Sequence, residues 1–263
     1  MIIFAGLIPN SPLLLPAFAG GHENDVKKTT VAIQELAAEL TVLKPDVVVL
    51  VGEISGEYDH HFFVEFADPY KATFKELGDL EAEDHYSPSF AFTDKLQRLA
   101  RERATGLSLE TSDHLPFTIG VPLRLLFGHA TFPIVPLSPA EGESLKNHYT
   151  LGQLVRDTAH ETGLRVAIVA VGHGSHTMSD LSPSGFNAAG PELTDTLLDI
   201  IATKNAAGLQ QLGDETRTQA QETCVRELAV VFGALEGTSQ PLVVHSHEAP
   251  LGVSFIVASA SVS

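Results

Sequence analysis

The sequence predicts an α/β protein, a single αβα domain around a mostly parallel or mixed central sheet. Three observations predict it. The runs at residues 2–8, 47–51 and 166–171 are apolar and rich in branched side chains without alternation, as strands covered on both faces require. Helical periodicity fills segments between them, and the connections are short, which favours βαβ crossovers with helices outside the sheet. No internal repeat and no Pro-, Gly- or Ser-rich linker divides the 263 residues, so one domain over 1–263 is the simplest account.

In chain order, the run at 2–8 is the first strand, ended by Pro9-Asn10-Ser11-Pro12. Ile33, Leu36, Ala37, Leu40 and Leu43 then recur at helical spacing until Pro45 stops the element. The strand 47–51 follows. Residues 62–66 read as an edge strand, 67–88 as an acidic loop, and 90–103 as a helix followed by Gly106. Pro and Gly in 113–122 argue against a regular element there, and Pro136 places the strand 132–137 near an edge or a strand end. A helix at 143–162 leads into a central strand at 165–171. The Gly-, Ser- and Pro-rich stretch 172–191 is a loop long enough to carry function. Helices at 191–202, with Pro191 in the first turn, and at 216–234 precede two closing strands, 241–247 and 252–259.

Composition narrows the functional classes. Hydrophobic residues make up 44% and charged residues 19%, the balance of a globular chain. The formal charge of −17, with no cluster of Lys or Arg, would repel phosphate backbones and anionic lipid, so neither nucleic acid nor membrane is expected as a partner. Cys224 is the single cysteine, which excludes an internal disulfide and a thiolate metal cluster; it reads as a buried small residue within a helix. No stretch of 18 apolar residues exists, and the start lacks a basic, signal-like segment, so a soluble, cytoplasmic protein is expected.

Two strand ends carry the candidate chemistry, since open sheets bind ligands beyond the ends of their strands. His173 and His176 lie three apart in Gly172-His-Gly-Ser-His176, able to face one cleft. Imidazole there can ligate a metal or move a proton near neutral pH. In Val243-Val-His-Ser-His-Glu248, His245 and His247 share one face of a strand and Glu248 the other. Glu53 stands one step beyond the strand 47–52. Asp113 and His114 adjoin in an irregular segment that could turn an imidazole toward a cleft. His60 and His61 follow Gly52 in a loop, and His22 lies beside Gly20-Gly21 near a helix start. No glycine-rich phosphate cradle and no His-Glu-x-x-His helix is present, and Ser175 lacks a nucleophile elbow, which argues against a serine hydrolase.

The order and spacing of these pieces, Asp113-His114 with Val121-Pro-Leu123, Gly172-x-Gly-Ser-His176 and Ser246-His-Glu248-Ala-Pro-Leu-Gly252 behind a first strand, a Pro-rich turn and a βαβ unit, resemble the class III extradiol ring-cleavage dioxygenases. That is the family of the protocatechuate 4,5-dioxygenase catalytic subunit, whose wider superfamily includes the Memo proteins. The resemblance covers nearly the whole chain. It implies an extradiol dioxygenase-like fold and oxidoreductase chemistry, ring cleavage of a catecholic, aromatic molecule in aromatic catabolism, at non-heme Fe(II) held by two histidines and a glutamate. It also implies a homo-oligomer or a small accessory subunit.

Carried onto this chain, the resemblance assigns Glu248 to the metal, His176 to acid/base transfer and His114 to substrate. At the two positions where ligand histidines are expected, the chain has Asn10 and Glu53. An oxygen-rich set of Asn10, Glu53 and Glu248 suits Mg(II), Mn(II) or Ca(II) better than Fe(II), or holds no metal. His60, His61 or His22 could replace a missing imidazole, with His173 in the pocket. Three readings follow. The chain is a divergent dioxygenase, a member without that activity that binds a small molecule or serves as an accessory protein, or a metal-assisted hydrolase with His176 as base.

Overall fold

The computed structural model describes residues 1–54, 61–112, 114–127 and 131–262. In chain order the elements are β1 (Ile2–Ile8), α1 (Lys27–Leu43), β2 (Val47–Val51), β3 (Phe62–Glu65), β4 (Tyr70–Phe74), β5 (Asp79–Tyr86), α2 (Phe90–Glu102), β6 (Leu107–Glu110), β7 (His114–Leu115), α3 (Phe117–Phe127), β8 (Ile134–Ser138), α4 (Leu145–Thr162), β9 (Val166–Val171), α5 (Ala189–Thr203), α6 (Ala206–Gln210), α7 (Asp214–Ala220), α8 (Val225–Ala234), β10 (Val243–Glu248) and β11 (Phe255–Ser261). Eight strands form one mixed sheet in the order β10-β11-β1-β9-β2-β8-β3-β6. Its four middle strands, β1, β9, β2 and β8, run parallel, while β11 against β1 and β3 against β8 are antiparallel.

The unbroken apolar runs have a direct cause. Alternate residues of β2 enter different cores: Val47, Val49 and Val51 pack on the side that holds Leu154 of α4 and Leu228 of α8, whereas Val48 and Leu50 meet Ile33 and Leu36 of α1 and Ile119 of α3. A strand with apolar partners on both faces has no position for a polar side chain. His148 of α4 shows how the interior satisfies a polar group. Its Nδ1 donates to the Ser144 carbonyl (2.8 Å), its Nε2 accepts from the Ala140 N–H (3.3 Å), and burial lowers its pKa to about 4.

Several expectations are corrected. Residues 67–88 are no loop: β4 and β5 form a hairpin that β7 extends into a separate three-stranded sheet. In β4 the buried side chains Tyr70, Ala72 and Phe74 alternate with half-buried ones, a strand period masked by the surrounding acidic residues. Residues 117–127 are helical despite Pro122, because α3 is apolar and enclosed, and burial outweighs propensity. β3 is not at the edge, which belongs to β6.

β8, with Pro136 inside it, lies between β2 and β3. The Val48 and Gly52 N–H groups donate to the carbonyls of Pro133 and Leu137, so the alternation turns the Pro136 nitrogen away from β2. On that other side the pairing with β3 covers Leu137 and Ser138, and the missing donor breaks no bond of the ladder. The span 216–234 is two helices, α7 and α8, and Cys224 stands at the N-cap position of the second, buried, with burial driving its thiol pKa up. No helix among the described residues is long and apolar enough to cross a membrane.

Candidate binding site at the ends of the parallel strands

Three parallel strands end side by side. β1 runs out into Asn10-Ser-Pro-Leu13, β2 into Gly52-Glu53, and β9 into Gly172-His173. Gly52 is required where the β2 end passes β9: a Cβ there would lie 2.2 Å from Val171 Cγ2. Gly172 is required more strictly, because its Cβ would lie 2.0 Å from the Thr223 carbonyl oxygen, a backbone atom. Its N–H donates to the Ile8 carbonyl, tying the ends of β1 and β9.

The loop after β9 is held by the α7–α8 connection. The His173 N–H donates to Thr223 Oγ1 and the Thr223 N–H donates back to the His173 carbonyl, both at 2.9 Å. The Ala220 carbonyl accepts from the His176 N–H and from Ser175 Oγ. Beneath this connection, Glu222 takes two roles: Oε2 caps α8 by accepting from the Cys224 and Val225 N–H groups, and Oε1 accepts from Arg217 Nε at 2.9 Å. The ion pair is buried and multiply hydrogen-bonded, so the platform under the loop is rigid.

These ends enclose a cavity of about 420 Å³, the size of a small organic ligand site. Pro12, Leu13, Phe117, Val171, Val253 and Phe255 give it a mainly apolar wall, and Asn10, Glu53, Thr118, His173, His176 and Thr223 supply the polar groups. The His173 ring stacks on Phe255 (centroids 5.0 Å apart, 27° between planes) and meets His176 edge-on at 4.9 Å. Burial, then the neighbouring His176, lowers its pKa to about 3, so it is neutral at physiological pH. Its Nε2 is buried without a hydrogen-bond partner among the described residues, a deficit of about 1–3 kcal/mol of the kind that collects at functional sites. His176 Nδ1 lies 2.6 Å from the Gln221 carbonyl oxygen, which can only accept, so the proton sits on Nδ1 and Nε2 keeps a lone pair in the neutral ring.

The His173 shift carries a pH dependence. Between about 6.5 and 3 the unfolded chain binds a proton that the native ring refuses, so this contribution is complete above 6.5 and is lost as pH falls toward 3. His148 acts in the same direction. Denaturant titrations at neutral and mildly acid pH should show stability falling on acidification, with a shallower fall in His173→Leu. An equal slope in the variant would refute the assignment.

Of the residues expected at the site, Asn10, Glu53, His173 and His176 line this one cavity. The other described candidates lie elsewhere. His114 is on β7 beside Lys71, His61 Nε2 lies 3.6 Å from Glu110 Oε1, and His22 Nδ1 is paired with Asp25 at 2.8 Å. His60 and Asp113 fall outside the described residues. On β10, His245 and His247 contact Ser259 and Ser254, while Glu248 points the opposite way. Its carboxylate accepts from the Lys28 N–H (3.2 Å), the Thr29 N–H (2.7 Å) and Thr29 Oγ1 (2.8 Å) at the start of α1. Those are the second and third helical N–H groups, which an N-cap side chain normally takes. The N-cap residue here is Val26, which has no acceptor, and the helix dipole favours the charge.

Sequence reasoning missed Thr223, Phe117 and Phe255 as wall residues. Thr223 lies in a helix break with no Gly or Pro to mark it: Gln221 takes the left-handed conformation, at φ 51°, that Gly or Asn would have announced. Phe117 opens the unexpected helix α3.

A doubly covered mixed sheet with a cavity at its parallel strand ends defines the class, an α/β protein with a strand-end cavity. Residues 5–257 match the family of the catalytic LigB subunit of aromatic ring-opening dioxygenases, and the chain belongs to that family. It is 22% identical over 259 residues, 95% of its length, to Protein CA_C1420 of Clostridium acetobutylicum, and spans about half (55%) of that curated relative. The crystal structure of an uncharacterized protein, JW3007, from Escherichia coli K12 superposes with a TM-score of 0.67 at 16% identity, covering 98% of this chain and 100% of the other, and shares the fold.

The family implies Fe(II) held by two histidines and a glutamate, and the residues present do not fit it. The turns that follow β1 and β2 bring Asn10 and Glu53, not imidazoles, to the cavity, and the Glu248 carboxylate serves the start of α1. Among the described residues no group of three or more His, Cys, Asp or Glu side chains is arranged to hold a metal ion.

Proposed function

We propose that this chain is a small-molecule-binding member of the ring-opening dioxygenase family that works without the family's iron-dependent ring cleavage. The observation that carries this reading is the engagement of Glu248 with α1 beside a cavity whose wall is mainly apolar and whose imidazole pair is preorganised. A compact ligand with an apolar, ring-sized body fits the wall between Phe117 and Phe255. A hydroxyl on it can donate to His176 Nε2, which its Nδ1 bond to the Gln221 carbonyl keeps available. Rigid aromatic walls and a fixed acceptor reduce the ordering cost of binding. A soluble, cytoplasmic single domain is part of the same reading.

The test is ligand-induced stabilisation together with oxygen uptake. A ligand present at a hundred times its Kd should raise stability by about 2.7 kcal/mol. A panel of phenols and other small aromatic molecules should yield such ligands, and His176→Ala should weaken the hydroxylated ones. With added Fe(II) and catechols no oxygen uptake is expected. Iron-dependent uptake that His176→Ala abolishes would overturn the proposal.

A further inference from the structure

We infer that the cavity selects an organic cation, an aromatic or aliphatic amine whose ammonium pairs with Glu53 while its apolar body lies along Phe117 and Phe255. This rests on the binding reading above and names its ligand class. Three observations carry it. Glu53 supplies the only formal charge among the described side chains that line the cavity, and no Lys or Arg is among them.

The Glu53 carboxylate, second, has neither a hydrogen bond nor an ion pair among the described residues. Its backbone carbonyl alone is engaged, by Thr118 Oγ1 at 3.1 Å. Some exposed carboxylates elsewhere are paired, as Glu236 is with Arg156, but none of those lies against the apolar wall of this cavity. An acid left single at the rim of an apolar cavity is an acceptor in wait for a donor with positive charge.

The third observation is that nothing in the wall opposes a cation. His173 is neutral, and the aromatic ring of Phe117 favours positive charge over negative, while Phe255, stacked on His173, adds apolar wall. The long-range field agrees, since the chain carries −17. A carboxylate ligand would meet Glu53 with no Lys or Arg in the wall to compensate, whereas an uncharged ligand would gain at most a hydrogen bond and no ion pair from it.

Three ligands of nearly equal shape separate these cases: phenethylamine, 2-phenylethanol and 3-phenylpropionate, titrated calorimetrically into the full chain at neutral pH and low salt. The amine is expected to bind about tenfold more tightly than the alcohol, and the carboxylate most weakly, a preference that salt diminishes. Glu53→Gln should bring the amine to the level of the alcohol. Glu102→Gln, which removes an equal charge from the exposed end of α2, should keep the preference. Equal binding of amine and alcohol, tighter binding of the carboxylate, or a preference that survives Glu53→Gln would overturn the cation inference and leave the binding reading standing. Failure of all three ligands, together with failure of the phenol panel, would sink both.

Discussion

Gly152→Ala is expected to lower the melting temperature by on the order of 10 °C. α4 and α8 cross with backbone against backbone. A Cβ on Gly152 would lie 1.9 Å from the Val230 carbonyl oxygen and 2.8 Å from the Ala234 nitrogen, and one on Gly233 would lie 1.9 Å from the Tyr149 carbonyl oxygen. Each helix thus presents a glycine to the other's main chain. Obstructing atoms on a flexible side chain could swing aside, but backbone atoms inside helices cannot, so the helices must separate along a seam that holds Leu154, Leu228 and Val231. Overpacking of this kind costs about 3 kcal/mol or more. Scanning calorimetry gives the answer, with Gly106→Ala as the control, since a Cβ there meets no atom within 4 Å. Similar melting temperatures for both variants would show that the crossing yields more easily than its geometry implies.

Gly172→Ala should abolish ligand binding, with a loss of about a hundredfold or more, while the sheet remains folded. The added methyl would lie 2.0 Å from the Thr223 carbonyl oxygen and 3.1 Å from the Cys224 Cα. The loop or the α7–α8 connection must therefore move, and the reciprocal bonds between His173 and Thr223 break with it. Both imidazoles follow, because their positions derive from this connection: the ring of His176 through Gln221, and its N–H through Ala220. The imidazole proton resonances should shift and broaden. Thr223→Val, which keeps the shape and deletes the Oγ1 acceptor, should give a smaller loss of the same kind. Unaltered imidazole resonances in Gly172→Ala would contradict the account.

What could be read from the sequence depended on whether a residue's surroundings were local. β2 and β9 were legible because burial on both faces leaves an unbroken run of Val, Ile and Leu, and α2 and α4 because one apolar stripe repeats along them. The strand-end rule brought Glu53, His173 and His176 to notice and the resemblance brought Asn10, and these four line one cavity.

Legibility failed where distant packing decides. Pro122 fits inside α3 because the helix is enclosed, and Pro136 fits an inner strand because its nitrogen faces a stretch without ladder bonds. The β4–β5 hairpin hid behind acidic side chains on its open face. The orientation of Glu248 was legible as a face of β10, opposite His247. That this face meets an uncapped helix start more than two hundred residues earlier in the chain was not.

The strand order has a consequence for the making of the protein. β1 lies between β9 and β11, so when it leaves the ribosome neither neighbour has been synthesised, and the first candidate, Val166–Val171, follows after more than 150 residues. Ile3, Phe4, Leu7 and Ile8, all interior in the finished fold, spend that interval without a sheet. The nascent chain therefore carries an adhesive, unpaired segment until β9 has emerged. Its fate before the sheet closes, shielded by a chaperone or exposed to other chains, bears on yield as much as the stability of the final structure does.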